Sequence, residues 1–280
     1  MSKIRIMTEN DVDFATKLTN FEKWANSKAD FERLIKLNPD GNFVAYEGDN
    51  RVGMITSAIF GRLAFIGNLI VPVKYRNRGV GRGLMKHLLK YLSEHKKIET
   101  IELDGDFPAI ELYRKLGFID KYFSLRFCRR PAETENGGVT AGIVEPEKIA
   151  EIDNNLITCP KISRNKFLSE FAAMHNGQVY VNETDGIGSF SIIRKCFGGY
   201  YVIGPTMASN RKNAEQLIKS IVANYSSEVI YAGVPEINRD AVAIMLNNNF
   251  YYEQPSLRMY HGKRIDYEKN IYTILSGDVG

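Results

Sequence analysis

The sequence predicts an α/β protein built from two tandem domains. Short runs with alternating apolar residues, typical of strands, are interleaved with longer segments in which apolar residues recur at the helical period. The chain of 280 residues is long enough for two domains of ordinary size. After a polar segment that contains Pro and Gly, the same order of elements returns. The repeated order is the main reason to predict two domains and not one.

The first half is predicted to hold a strand, two helices, three strands, a long helix, a strand, a short helix and a final strand. The strands are expected at 4–6, 43–46, 51–60, 63–71, 98–103 and 118–128, and the helices at 11–21, 29–37, 79–95 and 108–116. A hairpin turn is expected at 47–50. In the long helix, Leu84, Leu88 and Leu92 follow each other at intervals of four, so one stripe faces a sheet.

The second half repeats this order. Residues 132–138 read as a linker between a first domain at 1–131 and a second at 139–280. Strands are expected from Ile143 and at 179–181, 190–193, 200–203 and 229–232, and helices from Ile149, from Phe167, and at 214–223 and 241–246. Residues that match at a shift of 133 positions are Ile70 with Ile203, Pro72 with Pro205, Asn77 with Asn210, Arg78 with Arg211, Leu84 with Leu217 and Lys86 with Lys219. Together with the element order, these matches predict a tandem duplication.

Composition excludes several classes of protein. The 37 Lys and Arg residues are interspersed with 33 Asp and Glu residues, a pattern that favours a solvated surface over a nucleic-acid-binding stripe. No apolar run approaches the length of a membrane span. The three cysteines have no CxxC spacing and the histidines no ligand spacing, so neither disulfides nor a metal site is expected. Cytoplasm is the expected location.

The most informative stretch lies between a predicted strand and the long helix. It contains Arg76, Asn77 and Arg78, then Gly79, Gly81 and Gly83 at alternate positions, with Arg82 among them. A helix N-terminus presents unpaired N–H groups and partial positive charge, and glycines let a phosphate approach its backbone. The turn therefore indicates a diphosphate site, although glycines that only serve tight packing remain an alternative. The spacing fits neither the dinucleotide fingerprint nor the P-loop.

At this stretch the sequence resembles the GNAT superfamily of N-acetyltransferases. Arg76, Gly79 and Gly81 match its R/Q-x-x-G-x-G/A signature, and residues 113–118 match its later Y-x-K-x-G-F segment. The resemblance covers essentially the first 130 residues, and the whole chain looks like the tandem type with a degenerate second domain. It implies two acetyltransferase-like domains, each with a mixed, largely antiparallel sheet flanked by helices. It departs from the family at Pro72, which stands next to Val71 where a proline often comes one residue later.

The resemblance also implies a cosubstrate and where it binds. The cosubstrate would be acetyl-CoA, and the expected acceptor is a primary amine, either a small molecule or a protein N-terminus. The backbone from Asn77 through Val80 to Arg82 would hold the CoA pyrophosphate, with Gly83 beyond it. Leu69, Ile70 and Val71 would pair with the pantetheine arm, and Asp106 lies where the family has a cofactor-contacting residue.

Acyl transfer to an amine needs a proton for the departing thiolate. Tyr113 matches the position of the family's acid, and the alternative is an aromatic side chain that packs the short helix on the sheet. Asp104 could attract or deprotonate an ammonium substrate, or with Asp106 cap the helix that begins at Pro108. Glu102 is a weaker candidate for the same role. Trp24 lies in a loop where substrate specificity usually resides in this family, and a core role is an equal alternative.

In the repeat, Gly79 and Gly81 are replaced by Lys212 and Ala214, and Tyr113 by Met245. The second half is therefore expected to bind no CoA in the same way and to have a structural or substrate-covering role. The predicted function is an acetyl-CoA-dependent N-acetyltransferase. A rival from another class is a regulatory protein that senses acyl-CoA without turnover.

Overall fold

The structure is a computed structural model that describes residues 2–24, 26–132, 146–173, 177–183 and 186–280. It confirms the predicted fold class, because both halves form mixed sheets flanked by helices. The predicted linker at 132–138 lies outside the described residues apart from Ala132, and so does the strand expected from Ile143. Within the described ranges, no helix is long and apolar enough to cross a membrane.

The chain forms two compact units. The first unit comprises Met1–Ile119, Met259–Arg264 and Val279, and the second comprises Asp120–Arg258, Ile265–Asp278 and Gly280. Each unit therefore contains a segment from the other half of the sequence. Local sequence patterning carries no signal for this arrangement, because it reports the type of an element and not its distant partners.

The first unit has five strands and four helices from its continuous stretch. They are β1 (Lys3–Ile6), α1 (Val12–Phe21), α2 (Lys28–Leu37), β2 (Phe43–Glu47), β3 (Asn50–Phe60), β4 (Leu63–Ile70), α3 (Val80–His95), β5 (Thr100–Gly105) and α4 (Ile110–Arg114). Strands β1 to β4 pair antiparallel in sequence order, and β5 pairs parallel with β4. Helix α3 buries Leu84, Leu88 and Leu92 completely, as its predicted stripe requires.

The 3-10 turn Glu9–Asp11, which leads into α1, and helix α2 both begin at capping boxes. Asp11 Oδ2 accepts a hydrogen bond of 2.9 Å from the Thr8 N–H at the start of the first helical segment. Asp30 Oδ2 accepts one of 2.7 Å from the Ser27 N–H at the start of α2. These reciprocal bonds satisfy donors that a helix N-terminus otherwise leaves open. Helix α3 begins without such a cap, which matters for the site.

The second unit repeats the mixed topology. Its elements are β6 (Ile119–Arg129, from Asp120 onward), α5 (Pro146–Leu156), α6 (Asn165–Ala172), β7 (Gly177–Asn182), β8 (Ser189–Lys195), β9 (Tyr201–Met207), α7 (Arg211–Asn224), β10 (Ile230–Pro235), α8 (Arg239–Asn247), β11 (Tyr251–Tyr252), β12 (Ser256–Gly262) and β13 (Ile271–Thr273). Strands β7, β8 and β9 pair antiparallel, β10 pairs parallel with β9, and β6 pairs antiparallel with β10. Residues 259–262 of β12 belong to the first unit, where they lie beside β5.

The buried faces of α3 and α7 confirm the sequence match between the two long helices. Leu84 and Leu88 are buried in α3, and Leu217 and Ile221 are buried in α7, each at the predicted shift of 133 positions. The strands that precede these helices do not keep that shift. Each strand contains a β-bulge, and counting from that bulge aligns Ile70 of β4 with Thr206 of β9. The pairs matched in the sequence, Ile70 with Ile203 and Pro72 with Pro205, are therefore three residues out of register.

Candidate functional site

Strand β4 carries a β-bulge near its end. Between the pairs Thr56–Gly67 and Met54–Ile70, β3 advances by two residues and β4 by three. Asn68 absorbs the extra residue with a left-handed φ of +49°, and its Nδ2 donates to Thr56 Oγ1 at 3.1 Å. A bulge bends its strand and re-aims the residues that follow. The sequence did not predict this role of Asn68, because the strand pattern at 63–71 is continuous.

The bulge ends the pairing between the two parallel strands of the first unit. In the described structure, β5 pairs with β4 no further than Leu103 with Ile66. Beyond that point lie Leu69, Ile70 and Val71, the residues expected to pair with a pantetheine arm. Ile70 is buried, and the other two are half-buried. These three residues lie beyond the last pair of β4 with β5, and we refer to the gap between the unpaired ends of the two strands as the cleft of the first unit.

The turn after β4 brings unpaired backbone donors to the start of α3. Asn77 and Gly79 both have left-handed backbones, with φ of +63° and +81°. The Gly83 N–H donates to the Gly79 carbonyl at 2.9 Å, which is the first full helical hydrogen bond. The N–H groups of residues 80–82 precede that bond, and no side chain caps this helix end. They are open to a ligand.

Internal packing does not explain the three glycines. A Cβ at Gly79 would meet nothing within 4 Å, one at Gly81 would lie 3.6 Å from Val71, and one at Gly83 would lie 4.0 Å from Ile4. Only Gly79 is required by its positive φ. At Gly81 and Gly83 a side chain would fit against the described residues, so tight packing does not require glycine there. This argues against the tight-packing alternative and leaves bare backbone at the helix start.

The three arginines of the turn have different environments. Arg76 Nε donates to the Val71 carbonyl at 2.8 Å, and its guanidinium also pairs with Glu22. Arg76 therefore braces the turn against the end of β4. Arg78 lies over the Tyr75 ring at 5.6 Å, and Arg82 is exposed with no ion pair to any described residue. Of the three cations, only Arg76 is committed to a protein carboxylate.

Tyr113 lies on α4, next to the end of β5. Its side chain is buried, and its ring contacts Phe118 edge-to-face with centroids 6.0 Å apart. A Cβ on Gly105 would lie 3.1 Å from two atoms of the Tyr113 ring, so the ring lies against the Gly105 backbone. Burial, assisted by the negative charge of Asp106, raises the pKa of Tyr113 well above its ordinary value. The phenol therefore stays protonated over the whole physiological range.

The acidic candidates are distributed around the end of β5. Asp104 is half-buried, Asp106 is exposed, and Glu102 is fully buried in β5 opposite Phe65 of β4. Asp106 precedes the short 3-10 turn that leads into α4, and the Ala109 N–H donates to its backbone carbonyl at 2.9 Å. Its side chain forms no capping bond to that turn, so the alternative in which Asp106 caps this helix is not observed.

Trp24 follows α1 and is half-buried, and its backbone N–H donates to the Thr19 carbonyl at 2.9 Å.

Two further residues of the first unit had no signal in the sequence. Asn20, at the end of α1, has a buried Oδ1 that accepts no hydrogen bond from the described residues. His261 packs against Phe118 with ring centroids 5.4 Å apart, and burial lowers its pKa. A lone His far along the chain gave no sequence signal for this position.

A separate polar cleft of about 300 Å³ opens at the edge of the same sheet. Its lining residues are Arg5, Ile6, Thr8, Asn10, Asp11, Tyr46, Asp49 and Arg51. Burial opposes ionisation of Asp11, but hydrogen bonds from Tyr46 at 2.6 Å and Arg51 at 2.7 Å outweigh it and hold the pKa of Asp11 low. The carboxylate is thus already bound by its neighbours, and this cleft contains none of the residues expected to react.

The second unit lacks the open helix start. The Asn210 side chain accepts a hydrogen bond of 3.0 Å from the Asn213 N–H, which caps α7. Arg211 and Lys212, which match Arg78 and Gly79 of the first unit, lie in the first turn of α7. A capped N-terminus has fewer free donors for an anion.

The position of Tyr113 in the second unit is held by Met245, as the sequence match predicts. The Tyr113 carbonyl accepts from the N–H groups of Leu116 and Phe118, at 3.0 and 3.1 Å. The Met245 carbonyl accepts from Asn248 and Phe250 in the same pattern, both at 3.1 Å. Backbone geometry is therefore retained where the hydroxyl is lost. Among the described residues, no group of three or more His, Cys, Asp or Glu side chains could hold a metal.

Comparison with known proteins gives two adjacent matches. Residues 11–118 match the Acetyltransferase (GNAT) family, and residues 150–273 match an Acetyltransferase (GNAT) domain. The chain is 22% identical over 267 residues to holothin acyltransferase of Pseudoalteromonas sp. (strain SANK 73390), covering 92% of this chain and 88% of that protein. These matches account for both halves of the sequence.

Solved structures share the fold across the full chain. A Pyrococcus horikoshii protein assigned as an acetyltransferase has a TM-score of 0.82 and 23% identity, covering 100% of this chain and 96% of its own. A tandem GNAT protein from the clavulanic acid biosynthesis pathway has a TM-score of 0.64 and 14% identity, covering 95% and 100%. At these identities, the likeness concerns the fold.

Proposed function

Because this chain belongs to the GNAT acetyltransferase family, with two such domains in tandem, we propose that it is an acyltransferase that moves an acetyl group from acetyl-CoA to a primary amine. We assign the cosubstrate and the chemistry to the domain at residues 1–131, and a degenerate domain to 139–280. The acceptor is a small-molecule amine or a protein N-terminus. The reaction is proposed to take place in the cytoplasm, where the three free cysteines stay reduced.

The observation that carries this proposal is the contrast between two helix starts. In α3 the start has bare glycine backbone, and its first N–H groups lack side-chain caps. In α7 the same place is closed by Asn210, and the glycines are gone. Since open N–H groups with helix-dipole charge favour a diphosphate, only the first unit is suited to the CoA pyrophosphate.

The backbone of the first unit supplies the rest of the binding site. Residues 77–82 hold the pyrophosphate, with Arg78 and Arg82 as free counter-charges, and Gly83 leaves space behind them. Leu69, Ile70 and Val71, beyond the bulge, pair with the pantetheine arm as a strand would. Arg76 keeps the turn in place through its bonds to Val71 and Glu22. Asp106 lies at the far side of this cleft, at the end of β5.

Acetyl-CoA supplies an activated acyl group as a thioester. The amine nitrogen attacks the thioester carbonyl carbon, and the new C–N bond forms. The attacking nitrogen then releases one proton to water, the oxyanion re-forms the carbonyl, and the C–S bond breaks. Tyr113 donates its phenolic proton to the departing thiolate, and solvent returns a proton to Tyr113. Burial raises the pKa of this phenol, so its proton is present when the thiolate leaves, although the same rise makes the phenol a weaker acid.

The acceptor side is assigned to the polar groups around the end of β5 and the loop after α1. Asp104 is half-buried beside the cleft, where its carboxylate attracts an ammonium group and helps to remove its proton. Trp24 is assigned to the wall of the acceptor pocket, because it is only partly buried.

The test is acetyl-CoA consumption against a broad panel of amines, with the acetylated product identified by mass. We expect turnover with at least one amine class and its loss in Tyr113→Phe. Binding of acetyl-CoA without turnover on any amine would instead favour an acyl-CoA sensor. Absence of binding would contradict both functions.

A further inference from the structure

The second unit has its own cleft between parallel strands. Strand β9 pairs parallel with β10 from Tyr201–Ile230 to Ile203–Ala232 and no further in the described structure. As in the first unit, a bulge ends this pairing: β8 advances by two residues and β9 by three before the next pair is formed. Counted from the bulge in each strand, Thr206 of β9 corresponds to Ile70 of β4.

The C-terminal segment of the chain lies in this cleft. Strand β13 pairs antiparallel with β9, with Ile271 opposite Met207 and Thr273 opposite Thr206. Thr273 Oγ1 also donates to Thr206 Oγ1 at 2.8 Å. The β9 residues that β13 binds are the second-unit counterparts of Ile70 and its successor, which lie just beyond the bulge of β4.

The same segment is bonded on its other side and at its start. The Ile274 N–H donates to the Gly233 carbonyl of β10 at 2.9 Å. The Asn270 carbonyl accepts from the Ala208 N–H at 3.1 Å, and Asn238 Nδ2 donates to the Ile271 carbonyl at 2.8 Å. The segment therefore bridges both walls of the cleft and does not merely extend one edge of the sheet.

Two glycines make room for the segment. A Cβ on Gly204 would lie 2.1 Å from the Ile274 carbonyl oxygen, and one on Gly233 would lie 2.7 Å from the Ile274 side chain. Neither glycine has a positive φ, so close approach and not backbone conformation explains them. All side chains from Ile271 to Leu275 are buried. The walls are thus shaped around a peptide strand.

We propose that this cleft is a peptide-binding groove, occupied by the chain's own residues 270–275 where a pantetheine arm would otherwise pair with the strand. The comparison with pantetheine rests on the proposed function of the first unit, whereas the peptide occupancy does not. The groove takes an extended apolar peptide by strand addition: main-chain bonds bind it, and two glycines admit its backbone. The second unit is therefore closed to acyl-CoA by its own tail.

Hydrogen–deuterium exchange on the full chain tests the occupancy. We expect the amides of Ile274 and Ala208 to exchange at least about a hundredfold more slowly than in an unstructured peptide. We also expect saturating acetyl-CoA to leave both rates unchanged while it slows exchange at residues 77–82. Unprotected amides at Ile274 and Ala208, or their release by acetyl-CoA, would overturn the proposal. If acetyl-CoA protects neither unit, the proposed function fails while the groove stands.

A variant pair tests the groove as a binding site. Ile274→Pro removes the N–H that bonds Gly233, and Ile274→Val keeps it as the matched control. A labelled peptide with the sequence of residues 268–280 should bind the proline variant and neither the valine variant nor the natural chain. The same peptide with proline at the position of Ile274 should not bind. Equal binding of the labelled peptide by the proline variant and the natural chain, or equal binding of the two peptides by the proline variant, would overturn the proposal. If the proline variant does not fold, the exchange experiment on the natural chain decides.

Discussion

The Tyr113 ring lies against the backbone of Gly105, where a Cβ would come within 3.1 Å of Cδ2 and Cε2. The contact fixes the ring beside the end of β5, and the contact with Phe118 fixes it from another side. The position of the hydroxyl is therefore set by a glycine in a neighbouring strand. If the hydroxyl donates a proton, the rate depends on that glycine.

Gly105→Ala should displace the Tyr113 ring by a few tenths of an ångström. Because proton transfer is sensitive to small misplacements, we expect kcat to fall about tenfold or more while the KM for acetyl-CoA changes little. Steady-state kinetics with an identified amine checks this. Glu111→Ala, an exposed change on the same helix, is the control. An unchanged kcat in Gly105→Ala would show that ring placement does not limit the reaction.

Tyr113→Phe should reduce kcat by about 10²-fold, since general acid catalysis contributes on this order. The affinity for acetyl-CoA, measured by calorimetry, should hardly change because the ring remains. Tyr225→Phe is the matched control: it removes a phenol of the second unit whose pKa burial raises to about 12. Equal turnover in the two variants, with chemistry shown to be rate-limiting, would assign Tyr113 to packing alone.

The pH profile should reveal the charge beside Tyr113. Burial and the Asp106 carboxylate both raise the pKa of this phenol, so it stays protonated and kcat should not fall between pH 8 and about 10. Asp106→Asn removes a negative charge that opposes ionisation of the phenol. The pKa of Tyr113 then drops, and the basic limb of the kcat profile should move to lower pH. A basic limb at the same pH in both enzymes would contradict the assignment.

Arg76 should affect acetyl-CoA binding through the shape of the turn. A lysine cannot reproduce both the Val71 bond and the pairing with Glu22. The loss of one such bond corresponds to about 2–10-fold in affinity, so Arg76→Lys should raise the Kd by that factor. Arg78→Lys retains a counter-charge without such a bond and should raise the Kd less. Equal effects would mean that Arg76 acts only as a charge.

Local patterning predicted the elements around the site because they depend on residues close in sequence. The stripe of Leu84, Leu88 and Leu92 placed α3 on the sheet, and the match of Tyr113 to Met245 survives in identical backbone bonds. The bulge at Asn68 could not be predicted, since an extra residue in a strand is decided by pairing with its neighbour.

The sequence could not predict where segments distant along the chain come to lie in the fold. Residues 259–264 join the first unit, and β13 enters a cleft of the second, although both follow the last predicted element. A three-residue apolar strand such as 271–273 has no periodicity to distinguish it from a loop. One practical consequence concerns truncation: a chain ending near residue 135 would lack residues 259–264 of the first unit, so its behaviour would not isolate the role of the second half.

The central claim is that one acetyl-CoA binds per chain, at the open start of α3. Calorimetric titration of three proteins tests it most directly: the natural chain, Gly79→Lys and Gly48→Lys. Both glycines have a positive φ and open surroundings, so each lysine imposes a similar backbone strain of roughly 1–2 kcal/mol. Only Gly79 lies at the proposed pyrophosphate site. We predict one site in the natural chain and in Gly48→Lys, and none in Gly79→Lys. Two equivalent sites in the natural chain, or unchanged binding by Gly79→Lys, would contradict the account.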